Sequence, residues 1–213
     1  MTGLHDRDYF MDGLEVREGQ GGAPPRLVGY AAVFGQETVI RMSPSEAWRE
    51  MIAPTAFDEA IGRDDVIAAV NHDHNKLLGR TASGTLKLTV DARGLRYDIA
   101  LPNTQLGQET LEQVRRGDLR GSSFKFSVPE DGVRVVPGSA RHASGLPLVM
   151  LENVRLFDVG PVVFPAYAGT SVSARSVPAA VAAYREAQAR ADAVALRDLA
   201  RIRIAIERAK AWA

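Results

Sequence analysis

Two short runs, Leu86–Val90 (LKLTV) and Leu95–Leu101 (LRYDIAL), alternate apolar with polar residues and are separated only by Asp91-Ala92-Arg93-Gly94. A period of two puts every second side chain on one face, so the pair reads as antiparallel strands with one wet face. The same reading runs through most of the chain. RLVGYAAVFGQ (26–36) is a strand carrying Gly29 and Gly35, and a glycine inside a strand marks a bulge or a close backbone approach. VIAAVN (66–71) is a short buried strand, and SSFKFSV (122–128) alternates as a strand should. LVMLENVRLFDVGPVVFPA (148–166) holds the most apolar strand material, in two pieces broken near Glu152-Asn153.

Helical signals are fewer. A short piece spans about Thr55 to Ile61, with Thr55 as N-cap and Gly62 as stop. A second helix follows Pro102-Asn103-Thr104, with Leu106, Leu111 and Val114 on its apolar face and Gly117 at the C-terminal cap. Residues 36–54 read as a polar excursion, and 129–147, rich in Pro, Gly and Ser, as a loop.

The tail differs in kind. After Pro178 there is neither Gly nor Pro up to Ala213, and Leu199, Ile202, Ile206 and Ala209 recur three and four apart. That is an amphipathic helix, single or double, with a modestly basic polar face. The expected architecture is α+β: a mainly antiparallel sheet closing toward a barrel, with peripheral helices and a C-terminal helical tail. The expected divisions are a polar lead-in (1–25), a body (26–176) and the tail (177–213).

Composition removes several function classes. The chain has 26 basic and 26 acidic residues, so no net field directs it to nucleic acid or to a membrane surface. No apolar run approaches the roughly 20 residues of a membrane helix, and the acidic, non-hydrophobic N-terminus does not read as a secretory signal. There are no cysteines, which excludes disulfides, thiolate nucleophiles and cysteine-bound zinc.

Of the four histidines, His5 and His142 lie in polar surroundings and read as surface residues. His72 and His74 follow a buried strand, and on a continued strand they would share a face with Asp73 opposite. Three readings stay open: polar loop residues, two ligands of a zinc site whose third ligand no spacing singles out, or a general base beside a nucleophile. The hydroxyl for the last reading is in Gly121-Ser122-Ser123-Phe124, where a glycine before a strand permits a tight approach. An ordinary strand start would look the same. Asp158 stands amid Leu156, Phe157, Val159, Val162 and Val163, where a carboxylate is costly unless paired. It is either a partner for an imidazole or an edge-strand residue facing water.

Six segments then carry a resemblance: GYAAVFG (29–35), IAPTAFDEAI (52–61), VNHDHNKLLGRTASGTLKL (70–88), ARGLRYDIALPNT (92–104), VRRGDLRGSSFKFSV (114–128) and VRLFDVGPVVFPAYAGTSVSAR (154–175). In this order they make the body similar to the prohead serine proteases of tailed bacteriophages, prophages and gene transfer agents, a family held to share its fold with the herpesvirus capsid maturation protease. The resemblance implies a serine endopeptidase with catalytic Ser123, His72 and Asp158. Two departures stand out: aspartate replaces the family's frequent glutamate at 158, and a second serine, Ser122, replaces a larger residue.

The resemblance also implies scaffold and major capsid protein as substrates, together with the protease itself, and action inside an assembling procapsid in the bacterial cytoplasm. Self-association is expected, while no cofactor, metal, nucleic acid or membrane is. The basic tail is a candidate for the interaction that packages the enzyme. The rival reading is a non-catalytic capsid-assembly or scaffold-binding module on the same fold.

Overall fold

The computed structural model describes residues 5–9, 14–19, 21–43, 46–137, 144–163 and 176–210. In chain order the first strands are β1 (His5–Tyr9), β2 (Glu15–Arg17), β3 (Arg26–Val33), β4 (Thr38–Ser43) and β5 (Glu46–Ile52). Helix α1 (Ala60–Arg63), β6 (Ile67–Ala69), a single 3-10 turn (Val70–His72) and β7 (Leu77–Arg80) follow. Next come β8 (Leu86–Val90), β9 (Gly94–Ala100), α2 (Gln105–Arg116) and β10 (Gly121–Ser127). The chain continues through β11 (Val133–Val136), β12 (Leu148–Leu151), β13 (Arg155–Val162) and the long α3 (Ser176–Lys210).

The fold is mixed α+β and mostly antiparallel, as the alternating runs imply. Among the described residues the strands form three sheets, ordered β1-β10-β13-β6-β7, β11-β12-β5-β4 and β2-β3-β9-β8, and none closes into a barrel. Two pairings are parallel, β5 with β12 and β6 with β13. The second of these sets up the functional site.

The β8–β9 hairpin forms at the expected residues, with Leu86 opposite Ile99 and Leu88 opposite Tyr97. Helix α2 is bounded by the chemistry its ends require. Thr104 accepts the Gly107 N–H at 3.3 Å, and Gly117 takes the left-handed conformation at φ 79° that ends the helix.

The excursion expected over 36–54 is instead the strand pair β4–β5. Ala47, Trp48, Arg49 and Glu50 are consecutive and all buried. Charges on an inner strand hide its signal, and they are tolerated because they are paired: Arg49 donates to Glu37 at 2.8 Å, and the Trp48 indole donates to Glu50 at 3.4 Å. The first helix is also shorter than expected. Residues 54–59 form turns, α1 begins at Ala60, and Gly62 lies within it. Thr55 does not cap that helix; its hydroxyl donates to the Glu152 carbonyl at 3.3 Å. Part of the 129–147 loop is strand β11.

The core is continuous beneath the sheets. Phe124 and Phe126, two apart on β10, stack at 4.8 Å between ring centroids, and Phe57 meets Phe124 edge-on at 5.6 Å. Each such pair contributes about 1 kcal/mol beyond its burial. Ser122 shares that inner face, and β10 therefore turns Ser123 and Lys125 to the other one.

The tail forms one helix. Its first turns bury Val177 and Val181, pack on β11 and are tied down by Arg185 donating to the Ala47 carbonyl at 3.0 Å. From Glu186 to Arg197 the side chains are exposed, Val194 and Leu196 included. The apolar stripe Leu199, Ile202, Ile206 and Ala209, His142 and the Pro165-Ala166 segment lie outside the residues whose side chains are described.

Candidate active site

Three adjacent strands bring together residues far apart in sequence. In the five-stranded sheet β13 lies between β10 and β6. Ser123 on β10 is opposite Gly160 on β13, while Asp158 on β13 is aligned with Ile67 on β6. Strand β6 then ends in the 3-10 turn that carries His72.

That turn is strained. Asn71 and His72 both adopt left-handed backbone, at φ 53° and 55°, the non-glycine residues with positive φ among those described. Each such residue costs about 1–2 kcal/mol, and asparagine tolerates it best. Asn71 offsets part of the cost by accepting the Val163 N–H at 2.9 Å, which fastens the turn to the end of β13. The strand therefore does not continue through His74, yet the reversal brings both rings toward the sheet.

Gly160 makes the approach possible. A Cβ at this position would lie 2.2 Å from the Ala69 carbonyl oxygen, so any other residue would push the end of β6 away. Pro161 follows, inside a sheet strand, where a missing N–H would ordinarily break a ladder. Pairing with β6 is confined to Asp158 and Val159, and Pro161 lies past it.

Within this frame His72 Nε2 is 2.6 Å from Ser123 Oγ, and His72 Nδ1 is hydrogen-bonded to Asp158 Oδ1. Asp158 is fully buried, which excludes the water-facing edge position. The shorter aspartate reaches the ring. An ionised carboxylate only accepts, so it favours the tautomer with Nδ1 protonated and Nε2 bare, the form able to accept from the Ser123 hydroxyl. Both ring nitrogens of His72 are thus engaged. Among the described residues no group of three His, Cys, Asp or Glu is disposed to hold a metal ion.

Ser122 faces the other way. Its Oγ lies 2.7 Å from the Tyr97 hydroxyl, both fully buried. Burial pushes the Tyr97 phenol well above its ordinary range, with the Ser122 hydrogen bond acting against it, so it stays protonated. Gly29 leaves room for this ring, since a Cβ there would stand 2.6 Å from the Tyr97 hydroxyl. The strand glycine marks a close approach, as its position suggests.

Sequence reasoning did not find the places of Asn71 and Gly160, and it paired His74 with His72 without giving it a contact to Asp158. His74 Nε2 lies 3.3 Å from the second oxygen of Asp158. The one available signal was Gly160-Pro161 inside the most apolar strand. A cavity of about 890 Å³ lies elsewhere, lined by Pro24, Leu77, Leu101 and Leu111 among others, and includes none of the three residues.

A hydroxyl, an imidazole and a buried carboxylate joined in that order form the arrangement on which serine-type hydrolases act. The chain belongs to the caudovirus prohead serine protease family, whose model matches residues 13–185. Among solved structures it is similar to the bacteriophage T4 capsid assembly protease gp21, with 12% identity and a TM-score of 0.49 over 76% of this chain and 98% of that one. No curated protein sequence matches it significantly. Membership makes the chain a peptidase of the prohead class. No helix among the described residues is long and apolar enough to cross a membrane.

Proposed function

We propose that the protein is a serine endopeptidase that processes scaffold, major capsid protein and itself during prohead maturation, with Ser123 as nucleophile. The observation that carries this reading is the hydrogen-bonded chain from Ser123 Oγ through His72 to buried Asp158. Membership of the family supports the peptidase class, and the chain of hydrogen bonds supports the choice of residues.

Chemically, a serine hydroxyl is a poor nucleophile until a base takes its proton. His72 Nε2 accepts that proton as Oγ attacks the scissile carbonyl, then delivers it to the departing amine. A water, deprotonated by the same nitrogen, then hydrolyses the acyl-enzyme. Asp158 holds the ring in the tautomer with Nε2 bare and stabilises the imidazolium. Ser123 has no exposed surface in this structure. Strand β1 runs along the outer edge of β10 with Asp8 opposite Ser123.

In this reading residues 26–176 form the protease domain, with 1–25 as a lead-in and 177–213 as an appended helix. The enzyme works inside the assembling procapsid of the bacterial host. Co-expression with the scaffold protein of the same phage tests the assignment. Cleavage disappears in Ser123→Ala and persists in Ser122→Ala. Equal cleavage by wild type and both variants defeats it.

A further inference from the structure

Asp158 has two oxygens, and each faces an imidazole. Oδ1 accepts from His72 Nδ1, and Oδ2 lies 3.3 Å from His74 Nε2. We propose that His74 is a positioning residue for this site: its Nε2–H, donated to Oδ2, fixes the rotation of the Asp158 carboxylate so that Oδ1 stays aimed at His72. The inference rests on the triad reading given above.

The physical need is plain. The terminal torsion of an aspartate is broad and roughly two-fold, so one hydrogen bond and the surrounding packing define the carboxylate's rotation less sharply than two hydrogen bonds do. A second bond, to the other oxygen, narrows that rotation. Held geometry matters because His72 is useful only with Nδ1 protonated and Nε2 directed at Ser123.

The local chain is built to deliver both rings to one carboxylate. The Asp73 N–H donates to the Val70 carbonyl at 3.1 Å, and the Lys76 N–H donates to the Asp73 carbonyl at 2.7 Å. The Asp73 side chain turns into this bend, accepting the Asn75 N–H at 3.0 Å and its side-chain amide at 3.1 Å. The Asn75 N–H first, and then its amide, hold the Asp73 carboxyl below its ordinary range. Asp73 thus closes the turn, and His74 is the residue left to face Asp158. Its side chain is 63% exposed, so packing does not account for its orientation. The carboxylate does.

Steady-state cleavage of purified major capsid protein from the same phage, by full-length wild type, His74→Ala, His74→Gln and Ser123→Ala, tests the inference. Glutamine keeps an N–H donor of similar reach. His74→Ala is expected to lower kcat about tenfold with KM unchanged, the signature of lost organisation at the reacting atoms. His74→Gln recovers most of that loss, and both variants keep the wild-type melting temperature. Wild-type kcat in His74→Ala overturns the proposal, as does a Gln variant no better than Ala, or a fall in kcat accompanied by a lower melting temperature. If wild type and Ser123→Ala cleave equally, the triad reading itself fails, a result distinguishable from all of these.

Discussion

Replacing Gly160 with alanine tests how the site is assembled. The added Cβ would lie 2.2 Å from the Ala69 carbonyl oxygen and 3.1 Å from its carbon. Ordinary carbon–oxygen contact is about 1 Å longer than the first of these distances, so strand β6 must retreat by that amount. The obstacle is backbone, and no side chain can turn aside to relieve it. Gly160 also sits at φ 157°, which an L-residue resists. Overpacking and backbone strain together come to about 2–5 kcal/mol. His72 hangs three residues beyond Ala69, and a displacement of about 1 Å at a reacting group lowers the rate about a hundredfold.

Urea unfolding and scaffold cleavage measure the two effects separately. Gly84→Ala provides the control, since Gly84 is left-handed at φ 73° but has nothing within 4 Å of an added Cβ. It should cost about 1 kcal/mol and leave cleavage intact. A Gly160→Ala protein as stable and active as the control would refute this account of how β6 meets β13.

Four further outcomes follow from named contacts. Asp158→Asn, with the fold retained, is expected to lower kcat by about three to four orders of magnitude through the wrong His72 tautomer; a change under tenfold would contradict it. Tyr97→Phe strands a buried Ser122 hydroxyl and should cost about 1–2 kcal/mol by urea unfolding, with Ser122→Ala on that background recovering part of the loss. Asn71→Ala removes both the acceptor for Val163 N–H and the residue best suited to left-handed backbone, so about 2 kcal/mol and much of the activity should go together. For Asp64, burial pushes the carboxyl up, but the Arg63 hydrogen bond and the Leu156 N–H outweigh it and hold the carboxyl below its ordinary range. A lowered folded value means that its stabilisation is present above the unfolded carboxyl range and is lost as pH falls through the folded one. Asp64→Asn should therefore flatten the acid limb of a urea-midpoint profile between pH 7 and pH 3.

Legibility in the sequence followed the physics of each element. The β8–β9 hairpin and α2 could be read because local chemistry defines them: strict alternation for one, Thr104 and Gly117 at the ends of the other. Strands β4 and β5 could not, because β5 buries Arg49 and Glu50, and the Glu37 that pairs Arg49 is brought to it only by the folded chain. Ser123, His72 and Asp158 were each ambiguous alone, and the resemblance singled them out. Asp158 came nearest to being legible unaided, as a carboxylate that an apolar strand tolerates only when paired. What escaped was tertiary. The left-handed turn at Asn71-His72 is fastened by a bond to Val163, ninety-two residues on from Asn71, and the place of Gly160 is set by a carbonyl on a strand paired in parallel with its own.

The central claim is that one particular hydroxyl is activated by one particular imidazole. Treating cleavage-competent protein with a fluorophosphonate and mapping the adduct by peptide mass spectrometry tests it most directly. The account predicts a single modified serine, Ser123, with labelling retained in Ser122→Ala and lost in His72→Ala. Modification of Ser122, or undiminished labelling of Ser123 without His72, would contradict it.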